Sequence, residues 1–193
     1  MKIRQNQWLS FSLFTPLVIS MVLTALPNHN YQLYFAVTNI LINLTLCLLL
    51  SYQVILVLNF NKEENKTSPL FKINALIPVC FFWIYFCYTN YMAIISNSFH
   101  NSKSAPGPVK LTEMGLGAWL FLLMFIYGLI NYLFINNKYV LRRIRQHEDI
   151  GEQEYLKTTY WLPMRKLVRA SVYVFCAWLL LSLVTDVITL RAK

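Results

Sequence analysis

Charged residues in this chain fall in short clusters separated by long apolar stretches. Five of those stretches hold about the 20 mostly uncharged residues that a helix needs to cross a hydrocarbon layer about 30 Å thick. They cover residues 8–26, 33–59, 73–96, 115–135 and 170–190. The pattern predicts an all-α, polytopic transmembrane helical bundle of about five spans, forming one membrane domain over residues 1–193.

The first span runs from Trp8 to Leu26 behind the basic start Met1-Lys2-Ile3-Arg4, and it holds Pro16, which a membrane helix tolerates as a kink. It resembles a signal peptide. Cleavage after Ala25 would put Leu23 where a small residue is preferred and Pro27 just past the cut, so a retained anchor is expected. The second, Leu33 to Asn59, has no charge and exceeds a perpendicular crossing, which predicts tilt or extension beyond the bilayer. The third, Ile73 to Ser96, has an aromatic middle from Phe81 to Phe86. The fourth, Gly115 to Ile135, lies between Glu113 and Lys138, and the fifth, Ala170 to Leu190, follows Arg169.

Composition agrees with this reading. Of 193 residues, 57% are hydrophobic and 13% charged, too few polar side chains to cover a soluble surface. The net charge of +9 would suit a nucleic-acid partner if it formed a continuous soluble face, but it lies between apolar stretches and reads as a topology signal, so no nucleic acid is expected. Positive residues in short loops stay on the cytoplasmic side. With the N-terminus inside, thirteen of the 17 lysines and arginines fall on the cytoplasmic face, leaving Lys103, Lys110, Arg191 and Lys193 outside. The predicted topology is N-terminus cytoplasmic and C-terminus outside, and the short loops and residue usage suit a bacterial cytoplasmic membrane. On this topology the Asn65-Lys66-Thr67 triplet, a match to the N-glycosylation pattern, lies in the cytoplasm and goes unused.

The cysteines Cys47, Cys80, Cys87 and Cys176 lie within apolar stretches without a CxxC pair or a neighbouring histidine, so they read as small packing residues. His29, His100 and His147 sit in connecting segments, where none can hold a haem between helices. No cofactor or metal is expected. The chain has no HExxH, GxSxG, P-loop or GxGxxG motif, nor paired acids placed beside a histidine, so no catalytic residue is assigned and a non-catalytic role is favoured over an enzyme.

Asn39 and Asn43 share a face of the second span that continues through Cys47 toward Ser51. They read either as an interhelical hydrogen-bonding stripe or as the lining of a polar path. Asp186 is the one ionisable residue within a predicted span, near its outer end. Trp83, Tyr85, Tyr88, Tyr91, Trp119, Tyr127, Tyr132 and Trp178 read as interface belts and packing.

Residues 136–169 form the largest polar segment and predict a cytoplasmic hairpin of two short helices. Arg142, Arg143 and Arg145 mark one membrane end, Arg165, Lys166 and Arg169 the other, and Glu148, Asp149, Glu152 and Glu154 the tip. With Trp161 among the basic residues, the feet suit anionic headgroups and the tip suits a partner, although an anchored connecting loop would also carry positive flanks. Three roles remain open: a subunit of a larger secretion, export or envelope assembly, packing on other subunits or on itself; a small oligomeric channel or transporter component; or an immunity-type protein against a pore-forming toxin.

Overall fold

The computed structural model describes the backbone of residues 12–25, 31–64, 69–95 and 116–191, and the side chains of most of these, the exceptions being 24–25, 31–36, 92–95, 116–118, 182 and 185–191. Outside the described residues lie Trp8 and Leu26 of the first span, the Asn65-Lys66-Thr67 triplet, Lys103, Lys110, His29, His100, Lys193 and the side chain of Asp186.

Five continuous helices account for the described chain. Helix α1 is Thr15–Ala25, α2 is Tyr31–Glu63 and α3 is Pro69–Ile95. Helix α4 runs through Leu116–Ile130, a π-helical turn Asn131–Ile135, and Asn136–Ile144; α5 runs through Ile150–Leu156, a second π turn Lys157–Trp161, and Leu162–Arg191. By length and composition, the stretches Val37–Glu63, Pro69–Tyr91 and Trp119–Ile144 could each cross a membrane. Three such helices in one chain point to an integral, multi-pass membrane protein.

Several boundaries depart from the hydropathy limits. Helix α4 does not stop near Ile135 but continues through Lys138, Arg142 and Arg143 to Ile144, because helix hydrogen bonding persists where lipid exposure ends. Likewise α5 is already helical at Ile150, well ahead of Ala170. Pro16 follows a break in the helical chain, with turns at Leu13 and Phe14 between helical Ser12 and the start of α1 at Thr15, and in that first turn its missing N–H costs nothing. Among the described residues Pro78 of α3 and Pro163 of α5 lie inside helices, and Pro78 is buried facing Gly128 of α4.

Helix α2 is the hub. Its buried residues Cys47, Leu49, Leu50, Val57 and Phe60 join Phe82 of α3, Tyr132, Val140 and Ile144 of α4, and Leu156, Met164 and Leu167 of α5 in one core. Helix α1 packs on α2 and α5, and α3 packs on α2 and α4. Above this core α3 and α4 interleave aromatic rings, with Tyr85 stacked on Phe121 at 4.2 Å and Phe82 meeting Phe125 at 5.7 Å. Gly128 makes this approach possible, since a Cβ there would sit 2.7 Å from the Phe82 ring. Of the cysteines, Cys47 alone is buried; Cys80, Cys87 and Cys176 are free and exposed, so packing does not explain those three.

Candidate functional site

Amide and hydroxyl side chains meet where α2, α3 and α4 cross. Gln53 Nε2 donates to the Tyr132 carbonyl at 2.7 Å, and Asn136 Nδ2 donates to Gln53 Oε1 at 2.9 Å. The π turn explains why that carbonyl is free to accept. Its backbone bonds skip an extra residue, with Asn136 N–H reaching the Asn131 carbonyl, and a carbonyl left outside the α-helical ladder must find another donor. One turn earlier, the Tyr127 hydroxyl donates to Asn74 Oδ1, Asn74 Nδ2 donates to Asn131 Oδ1 at 3.0 Å, and Asn131 Nδ2 returns to the Tyr127 carbonyl at 3.0 Å. Pro78, four residues after Asn74, has no N–H to offer that turn of α3. On the other side Ser171 donates to the Leu167 carbonyl, which leaves the Tyr132 hydroxyl as donor in the 2.6 Å contact between Tyr132 and Ser171.

The contacts continue toward the hairpin. The Tyr139 hydroxyl donates to Asn61 Oδ1 at 3.3 Å, while its ring stacks on Phe71 and lies under the Arg143 guanidinium. At the end of α2, His147 Nε2 lies 3.0 Å from Glu64 and its Nδ1 lies 3.3 Å from Glu152. The Glu64 side chain is only 4% exposed. Both contacts can be donated together only by a protonated ring; a neutral ring donates one. Next to them, the Tyr160 hydroxyl donates to Glu63. Burial first, and then the Glu63 carboxylate, push the Tyr160 hydroxyl above its ordinary pKa, so it remains a donor. The expectation that no acid pair stands beside a histidine is therefore corrected: residues far apart in sequence, Glu64 and Glu152, converge on His147 when the hairpin folds back onto α2.

The structure redistributes the residues singled out from sequence. On α2, Asn39 is exposed and Asn43 half-buried, whereas farther along the same stripe Cys47 is buried and Ser51 accepts from Trp83 at 2.8 Å. Asp186 falls within α5. In the hairpin, Asp149 caps the first turn of α5 by accepting from Gly151 N–H at 2.9 Å, and Glu152 holds His147. Glu148, Glu154, Arg142, Arg145, Arg165, Lys166 and Arg169 are exposed. Arg165 lies 4.9 Å and Lys157 6.0 Å from the Trp161 ring centre. Tyr127 and Tyr132 are hydrogen-bonding members of the buried set, while Tyr88, Tyr91 and Trp119 are exposed.

Gln53, Asn61, Asn74, Asn131 and Asn136 were not singled out from sequence. Their signal was there, as amides inside apolar stretches or at their ends, but they are spread over α2, α3 and α4 and only the fold assembles them. Among the described residues, no group of three or more His, Cys, Asp or Glu side chains could hold a metal ion. Compared with protein-family models, with curated proteins and with solved structures, the chain matches none.

Proposed function

We propose that this chain is a non-catalytic, five-span subunit of a larger assembly in a bacterial cytoplasmic membrane, with its N-terminus inside, its C-terminus outside, and a cytoplasmic hairpin that docks a partner. The observation that carries this reading is the bracing of the hairpin. Glu64, His147 and Glu152 on one side and Glu63 with Tyr160 on the other fix it to the end of α2. A connecting loop needs no such brace, whereas a docking surface gains affinity from being held in its bound shape. The braced tip presents Tyr155, 53% exposed, on the same hairpin as exposed Glu148 and Glu154. Tyrosine is a common anchor of protein interfaces, and the acids around it select a basic partner surface.

The test is co-purification after mild detergent extraction, comparing the wild type with a Tyr155→Ser, Glu148→Lys variant. Loss of associated subunits, with the chain itself still present in the membrane at the same level, is the expected result. An unchanged set of partners would remove the docking role.

One observation favours a second reading, an oligomeric channel or transporter component. Among the described residues, Asn61 Nδ2, Glu64 Oε2 and Asn136 Oδ1 are buried without a hydrogen-bond partner. Buried polar groups in that state are costly unless something polar passes or binds there. Flux through vesicles containing the purified chain, measured with and without Asn61→Leu, would support this reading if the variant abolished it.

A further inference from the structure

Helices α4 and α5 leave two openings along a shared seam. The outer one, about 410 Å³, lies in the hairpin and is lined by Leu141, Ile144, Arg145, Ile150, Lys157 and Trp161 together with Gln153 and one acid, Glu154. The inner one, about 270 Å³, lies deeper and has only apolar surface around it apart from the hydrogen-bonded Tyr132 and Ser171. Leu46, Leu49 and Leu50 of α2 form its floor, and Phe125, Leu129 and Leu133 of α4 face Val172 and Phe175 of α5 as its walls.

Helix periodicity puts the two openings in register. On α5, Trp161, Arg165, Val168, Val172 and Phe175 alternate steps of four and three and so share one face that runs from the outer opening to the inner one. From Trp161 to Val172 the rise is about 16 Å. The inner opening is a crevice reached from the lipid side, since Val172 is 46% exposed, and its exposed lining is apolar, as a hydrocarbon chain requires. At the outer end, Arg145 and Lys157 border the groove, and Arg165 on the Trp161 ring extends the positive rim toward the crevice. Cations grouped with an indole at this depth complement a phosphate-bearing headgroup.

We propose that the α4/α5 seam binds one anionic phospholipid, its phosphate held by Arg145, Lys157 and Arg165 around Trp161 and one acyl chain lying in the crevice above Leu46 and Leu50. The site requires only that α4 and α5 enter the same bilayer together, and it is independent of any protein partner.

Native mass spectrometry of the purified full chain, exchanged into mixed phosphatidylglycerol and phosphatidylcholine, tests the proposal. The wild type should retain one phosphatidylglycerol in preference to phosphatidylcholine. Arg145→Gln with Lys157→Gln should weaken that preference about tenfold or more, as expected for two headgroup charges. Lys62→Gln with Lys72→Gln, which removes two charges on α2 and α3 away from the seam, should leave it intact. Val172→Trp, which fills the crevice, should lower retention while the chain stays monodisperse and helical. Equal retention of both lipids, or equal losses from the seam and off-seam pairs, would refute a defined site. Competition by glycerol 3-phosphate as strong as that by intact lipid would also overturn it, because the acyl chain would then add nothing.

Discussion

Gln53 donates to a carbonyl of α4 and accepts from an asparagine one turn further along the same helix, so it ties α2 to α4 through both ends of one amide. Removing it strands the Asn136 side-chain amide N–H in a buried site and leaves the Tyr132 carbonyl only the longer 3.3 Å bond from Asn137 Nδ2, and an unmade buried hydrogen bond costs about 1–3 kcal/mol. Gln53→Leu should lower stability by that order, measured as a shift in the unfolding midpoint in detergent. Asn136→Leu in the same background should add less than it does alone, because its partner is already gone. Full additivity would show that the two amides act separately. At this scale the asparagines named from the sequence differ from those in the buried contacts. A spacing of four residues places Asn39 and Asn43 on one face but does not say which face of α2 turns inward, and the neighbours that decide this are chiefly α1 and α3. Gln53 has no polar companion at helical spacing, because its companion is 83 residues away.

Elements were more legible than residues, though their ends were not. The five apolar stretches correspond to helices because a run of uncharged residues in lipid has to satisfy its backbone internally. Hydropathy reports where lipid contact ends and says nothing about where helical bonding ends, so Lys138 and Arg142 looked like the start of a loop while α4 continued through them. The two π turns were also hidden. The second ends two residues before Pro163, whose ring would clash with the carbonyl four residues back in a regular helix; widening the preceding turn relieves that conflict. The bracing of the hairpin gives an element-scale prediction. His147→Ala removes the ring that buried Glu64 meets and frees Glu152, so amide exchange should accelerate across residues 144–157 while the α2–α4 core keeps its protection. Uniform protection in both regions would mean that the hairpin is held by Met164 and Leu156 packing alone.

At the scale of the whole molecule, the three apolar helices fix an alternation and the two outer helices decide the number of crossings. If α2, α3 and α4 each cross, the loop around Lys66 and the hairpin at Gln153 share one side, and the segment around Lys103 lies on the other. The charge distribution then selects the side, since the loop and hairpin together hold most of the basic residues and a short loop rich in them is retained in the cytoplasm. Helix α5 carries its last cluster of positive charge at Arg165, Lys166 and Arg169 and has no further cation before Arg191. On the proposed five-span topology this helix enters lipid near residue 170, with Asp186 close to the far boundary. Helix α1 is described over 11 residues, a rise of about 16 Å, and its crossing rests on the apolar residues ahead of Thr15. Compartment-specific reporters fused at Lys66, Lys103, Gln153 and Lys193 should therefore read inside, outside, inside and outside, and a tag ahead of Lys2 should read inside. A cytoplasmic reading at Lys193 would return α5 to the membrane surface, and an external tag at the N-terminus would do the same for α1. Either result would leave the α2–α4 polar contacts in place, because those depend on the three central helices.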